Sequence, residues 1–314
     1  MQNNNNKDIK RLEIYLWWKC NYKCVFCIER RYIDKFYDKK IKEQEVLKKL
    51  IKYKKLGYNH VTFLWGEPFI QSNFLFSLKV AKKLWYTVLV TTNWVLLPFE
   101  DKAKKFLPYI DELIISVPII DKKLQPIINW VKNIIDFDSV FKNIGKYWKW
   151  NFLKINTVLN KYNYKSDVLY WILNFLDKYD ELVSEVSFTY PDIDYWYYTD
   201  KHCKDILALK YWDINNEFKK LEKIYKWNIL YKIIDVPFCY LPSKNFIKLS
   251  DDYSYQERLK IKEDGSNFKN WKIEIPRRRA HVIKCRWCKY IDTCWGPSFD
   301  YVELYWHSII KPLL

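Results

Sequence analysis

Strand-like and helix-like segments alternate from residue 11 to about residue 228, and this alternation constrains the fold more than any other feature. Residues 11–17 place Leu12, Ile14 and Leu16 at every second position, the period of a β-strand. Residues 41–56 follow, with Val46, Leu47, Leu50 and Ile51 on one helical face and Gly57 at the C-terminal turn. Further strands are predicted at 60–65, 87–93, 112–117, 152–159 and 183–190, and helices at 73–84, 139–150 and 165–178. Six strands separated by helices predict parallel βα units. The near-continuous apolar run Glu112-Leu-Ile-Ile-Ser-Val117 suits a sheet covered on both faces.

The pattern changes after residue 228. A helix over 213–226 gives way to short strand-like pieces at 229–236 and 245–249, a polar loop at 263–270 and a cysteine-rich tail. The expected organisation is therefore a flexible tail over 1–10, a core domain over 11–228 and a C-terminal region over 229–314. No run of about 18 uncharged apolar residues is present, so no membrane-spanning helix is expected. The N-terminal Met-Gln-Asn-Asn-Asn-Asn-Lys lacks the apolar stretch of a secretory signal, and a cytoplasmic protein is expected. The net charge of +17 could attract nucleic acid, but the lysines are spread along the whole chain.

The eight cysteines are grouped. Cys20, Cys24 and Cys27 follow the first predicted strand; Cys285, Cys288 and Cys294 lie in the tail, with Cys239 upstream. Without an export signal, such groups read as metal or cluster ligands rather than disulfides. Cys203 stands alone and reads as a buried, unliganded thiol. His60, His202, His281 and His307 form no recognisable pair, and Arg277–Arg279 reads as a solvated loop.

The segment from Cys20 to Cys27 has the spacing C-x3-C-x2-C, which can ligate three irons of one [4Fe–4S] cluster and leave the fourth open. A three-cysteine zinc site is the alternative. In this spacing, and in Phe26 before the last cysteine, the chain resembles the radical S-adenosylmethionine (SAM) enzymes. Three further places carry the resemblance over residues 11–200. Phe63-Leu-Trp-Gly-Glu-Pro68 resembles the family's Gly-Gly-Glu-Pro motif, with Trp65, Gly66 and Glu67 in the places that hold SAM. Thr91-Thr-Asn-Trp94 resembles Thr-Thr-Asn-Gly and points to Asn93. Ser116 and Asn156 resemble polar SAM-contacting positions on the fourth and fifth strands. The resemblance implies an α/β fold, a partial (βα)6 TIM-type barrel with a small C-terminal iron–sulfur-binding extension. It also implies a reduced cluster that cleaves SAM to a 5′-deoxyadenosyl radical, and a reductant protein such as a flavodoxin or ferredoxin.

Cys285-x2-Cys288-x5-Cys294 resembles part of the SPASM and twitch appendages of this family. With Cys239 it implies one auxiliary [4Fe–4S] cluster; a four-cysteine zinc site has the same spacing. The expected function is an oxidoreductase-type radical SAM enzyme acting on a peptide, protein or cofactor precursor. The alternative is a non-catalytic zinc- or cluster-stabilised binding protein for RNA.

One departure runs through the motifs. Glycine occurs 5 times and tryptophan 16 times, together 21, against roughly 22 glycines expected at average usage. Trp65, Trp85, Trp94, Trp130 and Trp295 stand where the motifs or turns call for glycine. Two readings stay open. The tryptophans are genuine and the chain is a diverged relative, or the gene's UGA codons mean glycine.

Overall fold

The computed structural model describes residues 9–27, 40–64, 66–129, 134–149, 152–191, 201–226, 228–243, 246, 257–261, 267–268, 281–294 and 296–305. Trp65, Trp130, Trp295, Arg277–Arg279, His307, the tail over 1–8 and all but Phe246 of the expected strand at 245–249 lie outside them. The chain divides into two compact units, one of Met1–Ile155, Glu181–Ser184 and Ser254–Lys272, the other of Asn156–Asp180, Glu185–Tyr253 and Ile273–Leu314.

The first unit is built on β1 (Lys10–Tyr15), β2 (His60–Leu64), β3 (Thr87–Thr92) and β4 (Glu112–Ser116). Each pairs in parallel with the next, as the alternation predicts. Between them run α1 (Glu43–Lys55), α2 (Phe74–Lys83) and α3 (Glu100–Phe106). Later come α4 (Gln125–Asn129), α5 (Phe137–Tyr147) and β5 (Phe152–Val158). The core-facing stripe of α1 is Val46, Leu50 and Tyr53; Ile51, expected on that face, is exposed.

The sheet curls. Arg11 on β1 donates to Glu112 on β4 at 3.3 Å, with β2 and β3 between them in sequence of pairing. Three strand spacings in a flat sheet would separate these strands by roughly 14 Å. Curvature brings them within reach of one arginine and one glutamate side chain. This is an unclosed parallel α/β sheet, a partial barrel.

Two strands fall where none was expected. β8 (Glu257–Ile261) pairs in parallel with the free side of β1, and β9 (Asn267–Phe268) pairs antiparallel with β8. β9 lies inside the segment read as a polar loop at 263–270; its backbone pairing, which polarity does not report, makes it a strand.

An aromatic cluster secures the end of β2. Phe74 on α2 packs against Phe63, Phe69 and Phe106 with ring centroids 6.0, 5.3 and 5.5 Å away. All four side chains are buried. Glu67 accepts from the backbone N–H of Phe69, capping a short 3-10 turn over Pro68–Ile70.

In the second unit β6 (Val183–Thr189) pairs in parallel with β7 (Tyr231–Ile234). Helices α6 (Ser166–Leu176), α7 (Lys201–Leu207), α8 (Tyr211–Ile224) and α9 (Phe299–Tyr305) belong to the same unit. Cys203 and His202 lie on α7, with side chains outside the described residues. Tyr211 and Tyr301 stack at 3.7 Å, and the Tyr301 hydroxyl accepts from the Tyr211 N–H, which docks α9 on α8. Among the described residues no helix is long and apolar enough to cross a membrane.

Phe74→Ala should destabilise the protein by about 3–5 kcal/mol, since it empties the middle of the aromatic cluster. Urea unfolding followed by circular dichroism measures this.

Candidate functional site

Parallel strands share one C-terminal edge, and that is where active sites of βα barrels are built. β1 ends at Tyr15, five residues before Cys20; β2 ends just before Gly66 and Glu67; β3 ends before Asn93; β4 ends at Ser116. The topology therefore brings Cys20, Cys24, Cys27, Phe26, Gly66, Glu67, Asn93 and Ser116 to one edge, as the sequence predicted.

The cysteine loop is held by backbone contacts on two sides. Lys23 and Val25 donate to the carbonyls of Asn129 and Ile128 at 3.1 and 3.0 Å. The Lys19 carbonyl accepts from the Glu67 N–H at 2.9 Å. Gly66 sits in the left-handed region at φ +58, and a Cβ there would stand 2.2 Å from the Lys19 carbonyl oxygen and 2.9 Å from that of Trp17. Only glycine allows this approach.

Glu67 is fully buried and ties β2 to β3. One carboxyl oxygen accepts from the Phe69 N–H at 3.0 Å and the Thr92 hydroxyl at 2.7 Å; the other accepts from the Asn93 N–H at 2.7 Å. Burial pushes its carboxyl up to about 7, against the pull of these three bonds.

Donors also face the sulfurs. The Tyr22 N–H points at Cys20 Sγ at 3.4 Å, and the Asn93 side-chain amide lies 3.8 Å from the same sulfur and 3.0 Å from Asn21 Oδ1. Cys24 Sγ lies 3.7 Å from Asn129 Oδ1. The Tyr22 hydroxyl is buried and has no hydrogen-bond partner among the described residues. Burial first, then the charges of Cys24, Glu67 and Cys20, hold this phenol well above the ordinary tyrosine range. A buried O–H beside cysteines is a donor suited to a thiolate or a bound anionic group, so the residues present fit a cluster. Tyr22 and Asn129 were not singled out from sequence. Tyr22 sits inside the motif, and nothing local marks Asn129.

The Ser116 carbonyl accepts from the Trp94 indole N–H at 2.5 Å. Asn156 lies on β5 in the second unit and accepts from the Thr189 hydroxyl at 2.7 Å.

The second unit holds the other cysteine group. Cys239 lies in the 3-10 turn Phe238–Tyr240, whose Tyr240 carbonyl accepts from Asn215 of α8 at 2.9 Å. Cys285 and Cys288 belong to and cap the turn Ile283–Trp287. Cys239, Cys285, Cys288 and Cys294 line one pocket of about 320 Å³, part of it open solvent, with Pro237, His281 and Gly296. The N–H groups of Phe238 and Gly296 point at Cys294 Sγ at 3.5 and 3.4 Å. Burial, and then the neighbouring Cys294, Cys285 and Cys288, push the Cys239 thiol up to about 12. Among the described residues no group of three His, Cys, Asp or Glu is arranged to hold a single metal ion. The four thiols surround a pocket instead, and His281 joins them there, bonded through its ring to the Cys294 carbonyl at 2.6 Å.

The C-terminal edge of the partial barrel thus carries three loop cysteines, a glycine-tight turn and a buried glutamate. Residues 16–169 match the model of the Radical SAM superfamily. Two proteins named S-adenosylmethionine-dependent nucleotide dehydratase are 28% identical over 52% of this chain. One, from Lacinutrix mariniflava, is covered over 36% of its length and the other, from Flammeovirga pacifica, over 58%. The chain thus spans only part of these relatives. The fold is also that of Streptococcus suis SuiB, solved with its precursor peptide SuiA and with S-adenosylmethionine. Against the SuiA complex the TM-score is 0.58 at 17% identity, covering 83% of this chain and 59% of SuiB.

Glu67→Gln should cost about 1–3 kcal/mol, because its amide group would face one of three fixed donors. Gly66→Ala should release the cysteine loop and lower the iron taken up on reconstitution. Chemical unfolding measures the first and iron assay per chain the second.

Proposed function

We propose that the chain reductively cleaves S-adenosylmethionine at a [4Fe–4S] cluster held by Cys20, Cys24 and Cys27, and uses the product to modify a peptide, protein or cofactor precursor. The observation that carries this is the shared strand-end edge, where the three cysteines, Gly66, Glu67 and Asn93 stand together. The cluster supplies the electron that breaks a carbon–sulfur bond of SAM when both are bound. The chain's own residues position and protect. Gly66 keeps the β2 turn pressed against the cysteine loop. Glu67 fixes the Asn93 backbone, and the Asn93 amide leans on Cys20. Phe26, Ser116, Asn156 and Trp65 belong to the proposed SAM-holding set.

In this reading residues 11–228 are the radical SAM core. Residues 229–314 carry an auxiliary [4Fe–4S] cluster on Cys239, Cys285, Cys288 and Cys294, although β8 is lent to the core sheet. The four thiols on one pocket and the two N–H groups aimed at Cys294 support a cluster there. Electrons come from a flavodoxin- or ferredoxin-like protein. A nucleotide substrate is the second reading, favoured by the two relatives named nucleotide dehydratase.

Anaerobic reconstitution should give about eight irons per chain and SAM cleavage under reductant. Cys24→Ala should abolish cleavage. Cys285→Ala with Cys288→Ala should leave about four irons and keep basal cleavage. Zinc without SAM cleavage would refute the assignment. Adding nucleoside triphosphates or candidate peptides and following loss of substrate by mass spectrometry separates the two substrate readings.

A further inference from the structure

Among the described residues only three without a glycine label sit in the left-handed region: Trp85 at φ +59, Trp94 at φ +55 and Asp235 at φ +66. Aspartate tolerates that region; a bulky aromatic residue is an outlier there. Tryptophan supplies 16 of 314 residues, yet both of the bulky residues in this conformation.

The chain contains its own control for position 85. Lys54-Lys-Leu-Gly-Tyr58 ends α1, and Lys82-Lys-Leu-Trp-Tyr86 ends α2. At the end of α1 the Gly57 N–H donates to Lys54 O at 3.0 Å and the Tyr58 N–H to Tyr53 O at 3.0 Å. At the end of α2 the Trp85 N–H donates to Lys82 O at 3.0 Å and the Tyr86 N–H to Ala81 O at 3.1 Å. Both are Schellman endings with the same bonds, and the residue that turns left-handed is glycine in one and tryptophan in the other. The Trp85 indole is 86% exposed, so no burial offsets its backbone.

Position 94 shows the opposite environment with the same backbone. Trp94 is 2% exposed. Its indole nitrogen lies 2.5 Å from the Ser116 carbonyl, below the usual 2.7–3.2 Å range. Its ring centroid lies 4.3 Å from that of Phe137, below the usual 4.5–7 Å. The side chain is crowded on the edge that carries the cysteine loop.

We propose that positions 85 and 94 are glycine in the protein the cell makes, because the gene's UGA codons are decoded as glycine. The scarcity of glycine and the abundance of tryptophan then have one cause. The inference is independent of the reaction assigned to the chain.

Peptide mass spectrometry of the protein purified from the cell that carries the gene decides it. Glycine is expected in the peptides spanning positions 85 and 94, with UGA at both codons; tryptophan in either peptide overturns the proposal. The backbone argument has its own test in the recombinant tryptophan-containing chain. Trp85→Gly should shift the thermal midpoint upward, and by more than Trp85→Ala, which removes the indole but keeps a Cβ. A Trp85→Gly midpoint no higher than that of Trp85→Ala would count against the proposal.

Discussion

The Lys19 carbonyl oxygen is the point on which the site depends. It accepts the Glu67 N–H, and it leaves room for a hydrogen but not a methyl on Gly66. That one approach sets the distance between the cysteine loop after β1 and the turn after β2. The Glu67 carboxylate then passes the constraint to β3 through Thr92 and Asn93. Three strand ends are thereby locked in one frame by backbone groups and one buried acid. Side chains that meet a cofactor can vary around such a frame without moving it.

The same economy explains what was legible in the sequence. The parallel strands were readable because Leu12, Ile14 and the run over 112–117 carry the period and apolarity of buried strands. The cysteine spacing was readable because a cluster needs thiolates at particular separations, and Glu67 because its segment resembles the Gly-Gly-Glu-Pro motif. β8 and β9 were not, since a polar stretch such as Glu-Arg-Leu-Lys-Ile becomes a strand only by pairing with β1. Tyr22 and Asn129 were hidden for a related reason. Their meaning comes from what faces them across the fold: thiols for Tyr22, the cysteine loop for Asn129. The helical face of α1 shows a subtler limit, where Tyr53 took the place that Ile51 was expected to hold.

Both cysteine groups use one device in different settings. The first hangs on a loop after a strand and borrows a carbonyl pair from α4. The second is assembled from two short 3-10 turns far apart in sequence, one held by Asn215 and the other closed by bonds within the tail. In each, backbone N–H groups point at sulfur. Such donors stabilise negative charge on a thiolate and raise the potential of any cluster it holds.

The strand that carries the first cysteine loop is not an edge. β1 is laddered to β2 on one side and to β8 on the other. Fraying the loop's root would require two sets of main-chain bonds to break at once. A zinc finger collapses when its metal leaves, because the metal is its core. Here the root of the cysteine loop is held by main-chain ladders on both sides of β1, so its position is set by the sheet and not only by what the thiols bind.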